Sequence, residues 1–277
     1  MSEDQKVSLF KRYPLMSFYA LAFLISWIGW IPQMLYSRGI FPFDHPLFSF
    51  LGGAGPTLAA VLVSRRAWGK GGPGKLFNAL FRWQISWVWY LFPVLYWGAV
   101  AAGVLLLGST AALEILPLGS FSWNLLPAVF ATMLLSNVWE EIGWRGFALP
   151  EFQKRFSDRV TALVMGLSWF LWHLPLMLDP ASPMGDLPWG GEALFSLGLT
   201  VIYIWLFNQS RGSLLPVTLF HALSNTAAFV ILELGAFESS YLWVVGATCL
   251  TAAVIVIAYW NEDTFGPSPA ERGSSGT

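Results

Sequence analysis

A chain of 277 residues with 11% charged and 56% hydrophobic side chains lies far from soluble proteins, in which about a quarter of residues are charged. Its aromatic share is 17%, its net charge −1 and its mean hydropathy +0.58. Those values exclude a disordered chain, an ordinary cytosolic enzyme and a nucleic-acid binder that relies on a basic field. The single cysteine, Cys249, sits in an apolar run, which excludes an internal disulfide framework and any CxxC metal or redox site. The composition implies an all-α polytopic membrane helix bundle.

A helix crosses the hydrocarbon core with about 20 mostly apolar residues. In chain order the candidates are 15–36, 47–64, 86–108, 124–147, 159–178, 194–208, 214–232 and 241–260. The second and sixth are short for a crossing. Gly52, Gly53, Gly55 and Pro56 in the second predict close helix packing and a bend. The first run is too long for a signal-peptide core and lacks a small-residue cleavage site, so it reads as a retained helix. Between the second and third runs, residues 69–75 read as a flexible loop without the spacing of a phosphate loop. Residues 78–89, with Arg82, Trp83, Trp87 and Trp89, read as a helix entering through the interface. Most of the sixteen tryptophans are expected to be interfacial or lipid-facing. Residues 1–260 read as one domain, and the polar tail 261–277 as disordered.

Charge provides an independent check. Fourteen of the fifteen Lys and Arg fall on one side of an arrangement with eight spans and both termini inside. The opposite connections carry Glu114, Asp179, Asp186, Glu192, Glu233 and Glu238, and their only basic residue is Arg38. The positive-inside rule makes the basic side cytoplasmic, so the expectation is a multi-pass protein of the cytoplasmic (plasma) membrane.

Ionisable groups within spans are costly and mark function by default. The fourth span holds Asn137, Glu140, Glu141 and Arg145, the fifth His173, and the seventh His221 and Asn225. The remaining histidine, His45, reads as an ordinary surface residue. Glu141 and Arg145 are i and i+4 and share a face, as do His221 and Asn225. Glu140 points about 100° away from Glu141, so the two carboxylates need not share a role. By helical rise, His221 lies ~10 Å, Glu140 ~13 Å and His173 ~20 Å from the cytoplasmic ends of their helices, and the three can meet near mid-depth. Any one of them alone fits a structural hydrogen bond between helices. Asn137 and the Glu141–Arg145 pair are balanced between structure and function; Glu140 with both histidines is the constellation favoured as a site.

Glu-Glu-x-x-x-Arg (140–145), Trp-x-x-x-His (169–173) and His-x-x-x-Asn (221–225), in that order and each on a span, resemble the CAAX-protease and bacteriocin-processing (abortive-infectivity) family of intramembrane endopeptidases. Trp169 stands where that family usually has Phe. The resemblance implies an eight-helix, glutamate-type protease with a cavity open to the cytoplasm. Eukaryotic relatives remove the last three residues of prenylated CAAX proteins; bacterial ones are linked to bacteriocin maturation or self-immunity. It also implies that Glu140 and His173 activate water, that His221 and Asn225 stabilise the oxyanion, and that Glu141 and Arg145 orient the site.

Chemistry agrees with those roles. Attacking water needs a base and a direction, which a carboxylate beside an imidazole supplies, and the oxyanion needs preorganised donors. No Gly-x-Ser-x-Gly pattern is present and Cys249 lies outside the motifs. Two histidines and a glutamate could ligate zinc, but no His-Glu-x-x-His pair occurs, and a site without cofactor is favoured. The expected partners are a membrane-associated peptide or protein and the bilayer, with no nucleic acid. The alternatives are a transporter or channel with a midplane ion or proton site, and a non-catalytic immunity or scaffold protein.

Overall fold

The computed structural model describes residues 9–109 and 117–259. The expected disordered tail, together with Lys6, Glu114 and Arg272 of the charge pattern, lies outside them. Every regular element among the described residues is helical. In chain order these are α1 (Leu9–Arg12), α2 (Pro14–Ser37), α3 (Pro46–Ala67), α4 (Gly72–Asn78), α5 (Val88–Ser109), α6 (Leu126–Gly143), α7 (Leu149–Gln153), α8 (Asp158–Trp172), α9 (Leu174–Met177), α10 (Trp189–Gln209), α11 (Leu214–Glu233) and α12 (Phe237–Tyr259). Short 3₁₀ turns follow α4 and precede α6, and a π-helical segment, Trp144–Ala148, joins α6 to α7.

Seven of these stretches are long and apolar enough to cross a membrane. Leu24, Ile28, Leu106, Leu135, Leu250 and Ile257 all point outward from their helices, as lipid contact requires. The protein is a multi-pass integral membrane protein. Two expectations need correction here: α3 has 22 residues and α10 has 21, so neither the second nor the sixth span is short. Both apolar cores extend beyond their expected starts, through Pro46 and Trp189.

The fifth expected span is the one that falls below the length of a single crossing helix. α8 has 15 residues and stops at His173 because Pro175, lacking an N–H, cannot continue the ladder. The amides of Leu176 and Met177 turn back to the His173 carbonyl at 2.9 and 3.0 Å. That leaves the Trp172 carbonyl to accept from the Trp27 indole at 3.1 Å, so α2 takes up the acceptor that the break releases. The following turn is tied to the end of α2: Ser37 donates to Asp179, and Arg38 donates to the Leu178 carbonyl.

Lipid offers no hydrophobic drive for helices to associate, so close approach by small residues matters. A Cβ on Gly52 would collide with the Trp30 indole, and one on Gly55 with Ser26, which lets α2 and α3 run together. Gly53 faces open space, and α3 continues unbroken past Pro56. On its other side α3 meets α6, where Gly143 lies against the backbone of Pro56 and Thr57 donates to the Trp139 carbonyl. From there α6 packs on α11 and α11 on α5, while α10 lies between α8 and α12.

Two further differences concern the 65–90 region. The loop expected over 69–75 is half helical, because α4 begins at Gly72 with Pro73 in its first turn. The interfacial helix expected over 78–89 is a 3₁₀ turn followed by irregular chain, and α5 begins only at Val88. Trp83 and Trp87 on that chain are strongly exposed, as an interfacial role requires. Trp30, Trp97, Trp144, Trp169, Trp172 and Trp205 are buried instead, so a large share of the tryptophans build the core and not a lipid-facing belt.

Candidate active site

α6 and α11 run antiparallel, and their i, i+4 pairs interlock. On α6, Asn137 and Glu141 face Asn225 and His221 of α11. Glu141 Oε1 accepts from the Arg145 guanidinium at 2.9 Å and from His221 Nδ1 at 2.8 Å. A carboxylate only accepts, so Nδ1 of His221 carries hydrogen and Nε2 is the nitrogen left for other partners. One turn away, the Asn225 amide donates to Asn137 Oδ1 at 3.1 Å. One Asn225 N–H is spent on this bond and the other remains to be used.

The Glu141–Arg145 pair is enclosed, with side chains 0% and 2% exposed. The Arg145 guanidinium carbon lies 3.8 Å from the Tyr203 ring centroid and 4.9 Å from that of Trp169. Stacking on two rings suits the planar, weakly hydrated guanidinium. The backbone at this point is the π-helical segment, a form concentrated at functional sites in helices. Arg145 still sits within reach of Glu141, as the α-helical spacing anticipated.

Glu140 points to a different wall. Its Oε2 accepts from the Trp169 indole at 3.4 Å. His173, at the α8 break, bonds through Nδ1 to the Trp169 carbonyl at 3.0 Å. A carbonyl also only accepts, so Nδ1 donates and the lone pair of Nε2 is left for another partner. The ring is fixed by neighbours: Trp172 at 4.7 Å, Trp169 at 5.3 Å and Trp30 stacked at 6.2 Å. Trp169 therefore carries both groups, one through its indole and one through its backbone.

Glu140, His173, His221 and Asn225 all line one cavity of about 470 Å³, within the usual range for ligand sites. Glu141, Arg145 and Asn137 are buried beside it and do not line it. His45 is an exposed helix cap at the start of α3, its Nδ1 accepting from the Leu47 amide. Among the described residues, no three His, Cys, Asp or Glu side chains converge as a metal-ligand set.

Sequence reasoning passed over three participants. Tyr203 is fully buried against Arg145 and His221, and nothing in its apolar context marks it. Trp169 was counted only as a motif aromatic. Glu192, expected in an outside connection, lies instead in the first turn of α10, where it is 4% exposed and lines the same cavity. The longer reach of α10 is what draws it inside.

A bundle of apolar helices that encloses two carboxylates and two imidazoles around a lined cavity defines a class of membrane protein with a built polar site. Residues 122–227 match the family model described as Rce1-like, type II CAAX prenyl endopeptidase. Over 112 residues the chain is 33% identical to a CAAX prenyl protease 2 of Methanococcus maripaludis, an alignment covering 38% of this chain and 41% of that relative. The resemblance seen in the motifs thus extends across a continuous segment from the turn before α6 to the middle of α11. All seven motif residues lie within it, and so does Glu192.

Proposed function

We propose that the protein is an intramembrane endopeptidase that hydrolyses a peptide bond in a membrane-associated peptide or protein, of which prenylated CAAX chains are one candidate class. The observation that carries the reading is the convergence of Glu140, His173, His221 and Asn225 on one cavity inside the matched segment.

In this reading water sits between Glu140 and Nε2 of His173. Nε2 accepts one of its hydrogens and holds its direction, while Glu140 removes the other as the oxygen attacks the carbonyl carbon. The oxyanion accepts from the free Asn225 N–H, with His221 beside it on the same cavity wall. The C–N bond then breaks and the amine leaves with the proton from Glu140, giving a new amine and a carboxylic acid whose remaining proton passes to that amine. Glu141 and Arg145 act through His221, whose ring they hold. Asn137 acts likewise on Asn225. In this reading water activation needs no metal, because Glu140 and Nε2 of His173 supply the base and the direction of attack.

Eight crossings are part of the proposal. α8 and α9 together run from Asp158 to Met177, about 30 Å at helical rise, with His173 at the break. Both termini then lie on the cytoplasmic side of the cytoplasmic membrane.

The test is cleavage of quenched fluorescent peptides, prenylated and unprenylated, by the purified full chain in detergent. Activity in the native protein, its loss in Glu140→Gln and its persistence in phenanthroline would support the reading. Activity unchanged in Glu140→Gln refutes the role of Glu140, and loss in chelator restored by zinc refutes the metal-free mechanism.

A further inference from the structure

The cavity has a second polar end. Glu192, Tyr241 and Ser240 line it, and on α10 the apolar lining residues Phe195 and Leu199 lie between Glu192 and the turn that carries Tyr203. The separation follows from α10. Tyr203, which touches His221 and Arg145, lies eleven residues beyond Glu192, about 16 Å along the helix. An extended peptide covers that distance with about five residues.

Glu192 is held in place and left incomplete. Tyr241 donates to one carboxylate oxygen at 2.7 Å and Ser196 to the other at 3.3 Å. These bonds come from α12 and from the next turn of α10, so the carboxyl group is fixed from two sides. Each oxygen retains a further lone pair. The ion pairs among the described residues involve Glu141 and Glu151 only, so Glu192 has no cationic partner there. A carboxylate buried this fully with hydroxyl donors but no cation is costly in its charged form, and the cavity is the side from which a cation can arrive.

We propose that Glu192 forms an anionic subsite that binds an ammonium or guanidinium group of the substrate, a Lys or Arg side chain placed about five residues from the bond at Glu140. The ligand class rests on the endopeptidase reading. A neutral side chain does nothing for the charged form of Glu192, whereas a cation satisfies the free lone pairs and the charge together. Tyr241 and Ser196 are positioning residues that hold the carboxylate toward the cavity.

The experiment measures binding apart from cleavage. In the Glu140→Gln chain, fluorescence anisotropy gives Kd values for a series of apolar ten-residue peptides. Each carries a single Lys moved along the sequence, with norleucine as the neutral match. Expected is one position at which Lys binds roughly 10–100-fold tighter than norleucine, the scale of a hydrogen bond to a charged partner. The added substitution Glu192→Gln, whose oxygen still accepts from Tyr241 while its amide N–H can donate to the Ser196 hydroxyl, should erase that preference while norleucine peptides bind as before. Tyr241→Phe should reduce it partially. Absence of a Lys preference at every position overturns the proposal without any variant of Glu192. A preference that survives Glu192→Gln also overturns it, leaving Glu192 as an acceptor joining α10 to α12. Parallel cleavage assays on the native chain keep the two readings apart: a Lys preference with no cleavage refutes the endopeptidase, and cleavage with no Lys preference refutes the subsite.

Discussion

Adjacent carboxylates of equal chemistry should respond oppositely to the same isosteric change, Glu→Gln. Glu140 has one contact of note, the long 3.4 Å bond from Trp169, and an amide oxygen can still accept there. Its replacement should alter stability by less than about 1 kcal/mol, the net worth of an ordinary hydrogen bond. Loss of the base should lower kcat by about 10²–10⁴-fold. Glu141 is different, since a single oxygen compensates a fully enclosed Arg145 and also fixes His221. Glu141→Gln strands that cation, and breaking a buried pair from one side costs about 3–5 kcal/mol. Unfolding in one detergent, followed by far-UV circular dichroism across a denaturant series, should separate the variants by at least about 2 kcal/mol, the gap between those two costs. Peptide cleavage on the same preparations completes the comparison. Glu140→Gln should be stable and inactive; Glu141→Gln should be destabilised as well as slow. Equal stability loss in the two variants, or none in Glu141→Gln, refutes the division of labour between them.

Asn225→Ala should lower kcat by about 10²–10³-fold with KM little changed, as for loss of an oxyanion donor, and a stability loss without a kinetic one would return it to helix packing. Asn137→Ala should give a smaller fall in kcat and a stability loss near 0.6 kcal/mol, about the mean for hydrogen bonds between membrane helices; a kcat equal to native refutes its hold on Asn225. Gly143→Ala should push α6 from Pro56 of α3 and destabilise by about 1–3 kcal/mol, as overpacking does, and an unchanged unfolding midpoint would show that this contact yields freely. Single cysteines in a Cys249→Ser background, one at Lys70 and one at Asp186, should label from opposite faces of sealed vesicles, and labelling from one face refutes the eight-crossing arrangement.

The sequence by itself determined seven of the eight expected apolar helices, most within a few residues, because apolar length is a local property set by the thickness of the bilayer. It also determined which groups are i and i+4 partners. Glu141–Arg145 meets as helical geometry requires, and His221 and Asn225 face one common neighbour. The interruption at Pro175 was equally local, although it was not read in advance. Tertiary structure alone decided what each polar group faces. Spacing separates Glu140 from Glu141 by an angle, but only the positions of α8 and α11 turn one toward a cavity and the other toward Arg145 and His221. The same holds for Asn137, which becomes the holder of Asn225 only when α6 and α11 run antiparallel. Tryptophan burial was misjudged because an indole suits both an interface and a core, and the choice depends on neighbours distant in the chain. Glu192 was assigned to a connection because charge and flanking glycines mark a helix end. Whether that end lies in water or against Tyr241 is set by how α10 and α12 pack, and no local pattern carries that information.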